Sequence, residues 1–408
     1  MNPSVVATGI GIVSSLGNSN KVFWENCIGG KSGISQITGF ETSTYKSHLG
    51  GEIKDFNPRA FLKPMQYRKM SKASRFAIAA SIQALEDASL AVTEDNTEQI
   101  GIIAGTGYAS TSFTDDFFVS LLQEGPSGAD PFYFPETVPN APASQISIFH
   151  NVRGPLSTVS HNNVSGELAI TYACDLLQSG AVGAVIVCGV DELNPIIFRA
   201  YASLGVLSPR CGSEEMSRPF DHERNGIILG EGAAALVLER EDYAERRGAW
   251  VYGKISGYAT SGSSVTLGAY DTDGEQTARA IKEALSDSSI FPEDVDYISA
   301  ASNSSRELDR LEALSIKKVF REYASRIPVT ALKSQTGEYA GMGVLRAAAI
   351  LLSLKNQLIP PTINLTIPDE QCSLLQIVRF PVSMMIRTVL LNGISFGGAN
   401  AAIIFQKA

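Results

Sequence analysis

The turn at residues 160–165 is the place in this sequence where a reactive side chain would stand. Residues 154–178 predict a strand, a tight turn and a helix, because β-branched residues give way to apolar residues at helical spacing from Val164 onward. Such a turn lifts one side chain out at a helix N-terminus, where N–H groups and the helix dipole favour negative charge. That position suits a nucleophile, but the sequence places Asn163 there, and an amide is not a nucleophile.

Few side chains elsewhere could act beside this turn. The histidines of the sequence are His48, His150, His161 and His222, so the second half has no imidazole. The five cysteines are scattered without a CxxC pair, which disfavours a zinc site or a disulfide framework. Cys174 in the predicted helix and Cys188 in the next predicted strand are expected to be buried thiols. We therefore expect no metal site.

The elements around the turn alternate between strand and helix, as in parallel α/β units. Residues 230–239 and 397–406 each follow a glycine-rich loop and end in an apolar strand. Short apolar strands precede them at 185–187 and 389–391. This echo predicts a duplicated chain with the site between its halves.

Composition limits the class of function. The chain has 408 residues, of which 44% are hydrophobic and 18% charged, enough for a large core. The net charge of -9 argues against nucleic-acid binding, since phosphate contacts need clustered Lys and Arg. No apolar run approaches the roughly 20 residues of a membrane helix, and the start lacks a signal-peptide pattern. We expect a cytoplasmic protein without a membrane partner.

Four segments together resemble the β-ketoacyl synthases, the condensing enzymes of fatty-acid and polyketide synthesis. The similarity runs nearly from end to end of the chain. The segments are VVATGIGIVSSLG (5–17), SRPFDHERNGIILGEGAAALVLE (217–239), LKSQTGEYAGMGVLRAAAIL (332–351) and NGISFGGANAAIIF (392–405).

The resemblance implies an α/β protein with the thiolase fold. Its duplicated halves would form a five-layered α-β-α-β-α core. The N-terminal half, with the degenerate nucleophile turn, would span residues 1–246, and the C-terminal half residues 247–408. The resemblance implies the fold of the family, but the residues at the catalytic positions do not match its activity.

The family uses a cysteine and two histidines, and this sequence lacks all three. Alignment on the motif residues around each position places Asn163 at the cysteine, Ala301 at the first histidine and Glu338 at the second. Lys333 and the gating phenylalanine, Phe396, are retained. Condensation needs a thiolate to hold the acyl group and donors for the oxyanion and enolate, which an amide, a methyl and a carboxylate cannot replace. The resemblance thus implies a chain with no catalytic residues of its own.

The polar residues around the lost site allow several interpretations. His161 could pair with Glu338 or Asn163 as a plug, or it could be a partly buried histidine that caps the turn. Lys333 and Glu338 could form a buried ion pair. Asn163 and Ser165, near a helix start, could also be simple helix caps.

A retained fold without its chemistry resembles the chain-length factor of type II polyketide synthases. That subunit pairs with an active ketosynthase and shapes the tunnel for the growing chain. The implied partners are an active ketosynthase and, mainly through it, an acyl carrier protein. No cofactor is implied beyond acyl chains carried on the phosphopantetheine of the carrier. The predicted tunnel residues are Phe113, Phe117, Phe118, Phe134 and Phe396, because rigid aromatic rings can set a sharp stop.

Two other functions remain open. The chain could be a cysteine-less enzyme that decarboxylates a malonyl carrier or transfers an acyl group. It could also be a homodimeric scaffold that binds acyl carriers. The phenylalanines could equally be ordinary helix core, since Phe113 and Phe117 are four residues apart.

Overall fold

The chain folds around one mixed sheet of eleven strands. The structure is a computed structural model that describes residues 3–212, 214–373 and 375–408. The strands in these residues, in chain order, are β1 Val5–Ser14, β2 Ser35–Gln36, β3 Leu49–Gly50, β4 Ile100–Gly105, β5 Leu156–Val159, β6 Ala184–Asp191, β7 Gly232–Arg240, β8 Gly253–Gly262, β9 Tyr297–Ser299, β10 Pro328–Thr330, β11 Leu358–Ile359, β12 Gln376–Ile377, β13 Val382–Ser383, β14 Thr388–Ile394 and β15 Ala399–Gln406. The sheet order is β12-β10-β9-β14-β15-β8-β1-β7-β6-β4-β5.

Helices separate most of these strands. They are α1 Asn20–Ile28, α2 Pro64–Tyr67, α3 Lys72–Asp87, α4 Thr111–Glu124, α5 Ala141–His150, α6 Ser165–Gln178, α7 Pro195–Ser203, α8 Glu241–Arg246, α9 Glu275–Asp287, α10 Arg306–Phe320, α11 Lys333–Thr336 and α12 Met342–Asn356.

The two halves of the sheet share one pairing pattern. In the first half, β4 pairs in parallel with β5 and β6, and the antiparallel strands β7 and β1 continue the sheet. In the second half, β9 pairs in parallel with β10 and β14, and the antiparallel strands β15 and β8 follow. A short antiparallel contact between β1 and β8 joins the halves. This repetition confirms the predicted duplication.

The layers also follow the prediction. Helices α3 and α5 cover the outer face of the first half-sheet, while α9 lies on the second half-sheet and packs against α10. Helices α6 and α12 pack against each other between the two half-sheets. The resulting order is helix, sheet, helix, sheet, helix.

The central helices must approach very closely, and glycines allow it. A Cβ on Gly189 in β6 would lie 2.0 Å from the carbonyl oxygen of Gly341, just before α12. A Cβ on Gly166 in α6 would lie 2.6 Å from the same oxygen. Because Cβ atoms essentially never come this close to a backbone atom, these positions need glycine. The close approach brings the start of α6 beside the loop that carries Glu338.

Several helices were not predicted from the sequence, among them α5 and α7. Helix α5 begins inside the proline-rich segment 130–144, and α7 begins at Pro195. In each helix a proline lies in the first turn, where its missing N–H costs nothing and its fixed φ suits the helix. The side chain of Asn194 caps α7 by accepting hydrogen bonds from two backbone N–H groups.

Candidate functional site

The predicted strand, turn and helix at residues 154–178 are present. Strand β5 ends at Val159, and Asn162 adopts the left-handed conformation with a φ of 48°. The hydroxyl of Ser165 accepts a hydrogen bond from the His161 N–H at 2.8 Å and donates one to the Asn162 carbonyl at 2.7 Å. Ser165 therefore holds the turn, which leaves the Asn163 side chain for another partner.

That partner is Glu338, the centre of a buried polar cluster. The Asn163 amide nitrogen donates to Oε1 of Glu338 at 2.7 Å, and the Asn303 amide nitrogen donates to Oε2 at 2.6 Å. The Lys333 ammonium lies 2.6 Å from Oε1, with both side chains only 3% exposed. The buried ion pair considered from the sequence is therefore present. Three donors from three segments converge on one carboxylate.

The backbone around Glu338 is fixed as firmly as its side chain. Its N–H donates to the Ile228 carbonyl, and its own carbonyl accepts from the Gly230 N–H. Gly337 has a φ of 73°, and a Cβ there would lie 2.7 Å from the Leu229 carbonyl oxygen. Both the left-handed backbone and the close approach favour glycine. The carboxylate is therefore presented by a rigid loop.

The segment matched to the family's first histidine contributes Asn303 rather than Ala301. The Ala301 methyl is buried in a small apolar cluster with Leu308, Leu311 and Ile394, and its N–H donates to Glu312. We expected position 301 to mark the lost catalytic group, but the side chain that contacts Glu338 lies two residues later. The spacing of residues in the sequence does not predict that Asn303 contacts Glu338. The one indication in the sequence is an amide side chain in a loop that is otherwise rich in Ser and Ala.

The structure corrects both interpretations of His161. Its side chain is exposed, and the partners of the Glu338 carboxylate are Asn163, Asn303 and Lys333. It is therefore neither a plug nor a partly buried residue. The thiols of Cys174 and Cys188 are fully buried as predicted, and burial raises the pKa of Cys188 to about 12. Neither can replace the missing nucleophile.

Two tyrosines close the space behind Asn163. The hydroxyls of Tyr108 and Tyr201 share a hydrogen bond, and their rings meet edge to face at a centroid distance of 6.1 Å. The carboxylate of Asp191 accepts the backbone N–H groups of Gly107 and Tyr108, which fixes the loop. Burial raises the pKa of Tyr108 to about 12, so its hydroxyl stays protonated. These rings occupy the volume next to the cluster.

Little room remains at the cluster itself. A cavity of about 10 Å³ is lined by Asn163, Glu338, Tyr108, Tyr201 and Tyr339, among others. That volume holds about one water molecule. It is far smaller than a malonyl or acyl group.

Four of the five predicted tunnel residues lie together on and beside α4. We call Phe113, Phe117, Phe118, Tyr133 and Phe134 the α4 aromatic cluster. The Phe117 ring lies 5.7 Å from that of Phe118 and 5.8 Å from that of Phe134, and Phe113 meets Tyr133 at 5.0 Å. Phe113 is buried, but Phe118 and Phe134 are 52% and 58% exposed.

The fifth residue, Phe396, lies elsewhere. It packs edge to face with Tyr270 at 6.3 Å and joins an apolar cluster that includes Phe198, Tyr108 and Leu229. The structure thus places Phe396 away from the other four, which lie on and beside α4. The five residues do not line one common space within this chain.

The described residues contain no group of three or more His, Cys, Asp or Glu arranged to hold a metal ion. In the same part of the chain, no helix combines the length and the apolar character needed to cross a bilayer.

Comparison with known proteins defines the class. Residues 2–244 match the family described as Beta-ketoacyl synthase, N-terminal domain, and residues 252–366 match Beta-ketoacyl synthase, C-terminal domain. The chain belongs to the β-ketoacyl synthase family. A protein of Synechocystis sp. named 3-oxoacyl-(acyl-carrier-protein) synthase 2 is 35% identical to this chain, and the alignment covers 99% of this chain and 98% of the relative.

Solved structures agree with the family at the level of the fold. The ishigamide ketosynthase/chain length factor aligns with a TM-score of 0.92 at 28% identity and covers all of both chains. A type II polyketide synthase acyl-carrier protein in complex with its ketosynthase aligns with a TM-score of 0.90 at 27% identity, again over all of both chains. The predicted thiolase fold is therefore confirmed.

Proposed function

We propose that this chain is a non-catalytic chain-length factor that pairs with an active ketosynthase and shapes the tunnel for the growing acyl chain. One observation carries the proposal: the carboxylate of Glu338, which the resemblance aligns with a catalytic histidine of the family, is bound by Asn163, Asn303 and Lys333. With about 10 Å³ of free space beside it, this cluster has no place for a thioester.

The cluster blocks condensation by occupancy. An unpaired carboxylate at position 338 would repel an enolate or a malonyl carboxylate. In the structure the Lys333 ammonium balances that charge, and two amides bind its oxygens. The same arrangement disfavours decarboxylation of a malonyl carrier, because the amides of Asn163 and Asn303 and the ammonium of Lys333 already bind Glu338 and are not available to an enolate oxygen.

The surface of the chain supports a pairing role. Strand β5 lies at the edge of the eleven-stranded sheet, so one side of its backbone is unpaired in the single chain. Leu156 in β5 is 45% exposed, and large apolar side chains of the α4 aromatic cluster are exposed as well. Grouped exposed rings are typical of interaction surfaces. An active ketosynthase with the same fold would cover them and complete a tunnel.

The proposal includes the roles of the other components. Acyl chains would arrive on the phosphopantetheine of an acyl carrier protein that docks mainly on the partner, because this chain carries a net charge of -9. The two halves would divide at residues 246 and 247, and the complex would act in the cytoplasm.

The test is a condensation assay with malonyl-loaded carrier, run with this chain alone, with the ketosynthase alone and with both co-purified. We expect activity only when both chains are present. Activity should survive Asn163→Ala in this chain and disappear when the partner loses its cysteine. Condensation or release of carbon dioxide by this chain alone would instead make it an enzyme.

A further inference from the structure

A second buried ion pair ties helix α6 to the other half of the molecule. Helix α6 follows the elbow, as we call the turn at residues 160–165 together with the polar cluster around Glu338. Nη1 of Arg346 in α12 lies 2.8 Å from Oε1 of Glu167 in α6, and both side chains are 1% exposed. Nη2 of the same guanidinium donates to the carbonyl of Ser299 at 2.6 Å and of Asn392 at 2.8 Å. One side chain thus bridges α6 to strands β9 and β14.

The surroundings are shaped to hold this pair. A Cβ on Gly343 would lie 2.2 Å from Oε2 of Glu167, and one on Gly393 would lie 3.1 Å from Oε1. Any larger residue at Gly343 would displace the carboxylate. Both glycines therefore leave room for the Glu167 carboxylate.

Hydrogen bonds continue from this pair to the elbow itself. The Asn392 amide donates to Glu312 at 2.7 Å, and Glu312 accepts the backbone N–H groups of Ala301 and Ser302. The next residue, Asn303, donates to Glu338.

Glu338 in turn accepts the Asn163 amide, four residues before Glu167. The network therefore leaves α6 at Glu167, crosses the second half and returns to the elbow.

We propose that Arg346 is a positioning residue that fixes the elbow, and with it the edge strand β5, against the second half. The guanidinium is suited to this because its rigid fork serves a carboxylate and two carbonyls at once, whereas an ammonium is a point charge. The further step, that a fixed β5 matters for the partner, rests on the proposed function.

The test is Arg346→Lys, with backbone hydrogen exchange measured over residues 156–170. Lysine keeps the charge but cannot reach all three acceptors, so we expect exchange there to become about tenfold faster. Residues 72–87 in α3 should exchange as in the parent chain. Unchanged exchange over 156–170 would overturn the proposal.

Arg247→Lys is the matched control. Arg247 also binds a fully buried carboxylate, that of Glu239, and a backbone carbonyl, that of Ala88, but it does not touch the elbow. Its substitution should leave exchange over 156–170 unchanged. If both lysine variants accelerate that segment equally, Arg346 has no specific positioning role.

A double variant, Arg346→Met with Glu167→Met, covers the case in which the single variant fails to fold. Apolar replacement of both buried charges often leaves global stability intact. Faster exchange over 156–170 with an unchanged unfolding midpoint supports positioning; slow exchange overturns it.

The partner is tested separately. If the parent chain fails to stimulate a ketosynthase, the proposed function fails while the exchange result still stands. If the parent chain stimulates it, Arg346→Lys should lower the affinity for the partner and Arg247→Lys should not.

Discussion

The elbow and the α4 aromatic cluster differ in solvent exposure: the first is buried and the second is partly exposed. At the elbow, charged and amide groups are buried and bonded to each other, with room for about one water molecule. At the α4 aromatic cluster, Phe118 and Phe134 leave half of their surface or more in solvent. The polar groups of the elbow have their partners within the chain, whereas rings of the α4 aromatic cluster remain exposed to solvent.

This difference separates what the chain does alone from what it can do in an assembly. A buried cluster whose partners are all internal offers nothing to a substrate. Exposed apolar rings stay in contact with water, and covering them with another surface is favourable. We therefore expect substitutions at the elbow to change the stability of the chain, and substitutions at the cluster to change association and product.

The largest effect is expected from Glu338→Leu. This change leaves the Lys333 ammonium buried without a carboxylate and leaves two amides without an acceptor. The free energy of unfolding should fall by about 3–5 kcal/mol, measured by urea denaturation.

The double variant Lys333→Met with Glu338→Met is its control, because it removes both charges. It should recover most of the lost stability. Equal losses in the single and double variants would show that the ion pair does not govern the elbow.

A smaller effect is expected from Phe118→Ala. Loss of a half-exposed ring should weaken binding of the partner ketosynthase about tenfold, because aromatic anchors dominate interfaces. Stability of the isolated chain should barely change. Phe380→Ala is the matched control, since Phe380 is 76% exposed but lies in the second half, outside the cluster. If both variants bind alike, the cluster is not the interface.

The smallest energetic change and the sharpest readout are expected from Phe117→Ala. If this ring stops the growing chain, the product made with the partner should lengthen, as mass spectrometry would show. Phe132→Ala, which removes a ring in cation–π contact with the Lys69 ammonium, should not change the length of the product. An unchanged product with normal yield removes Phe117 from the determinants of length.

Much of the fold could be predicted because its signals are local. The helical spacing from Val164 onward and the apolar strands predicted at 185–187 and 389–391 match α6, β6 and β14. The helices after Asn140 and Asn194 could not be predicted from periodicity, since prolines and a short apolar stretch look like loop. Phe113 and Phe117 lie in one helix, as their four-residue spacing suggests, but whether such side chains face a core or solvent depends on neighbours distant in the sequence.

Residue types and motifs alone predicted the family and the duplicated halves, and they predicted that the cysteine and both histidines of the family are replaced. The sequence also placed Lys333 and Glu338 close enough to suggest an ion pair. The folded chain was needed to show that Asn303 joins them, that His161 faces solvent and that Arg346 bridges the halves. The reason is that residue types are fixed locally, whereas a hydrogen bond between Asn163 and Glu338, 175 residues apart, exists only once the central layers pack together.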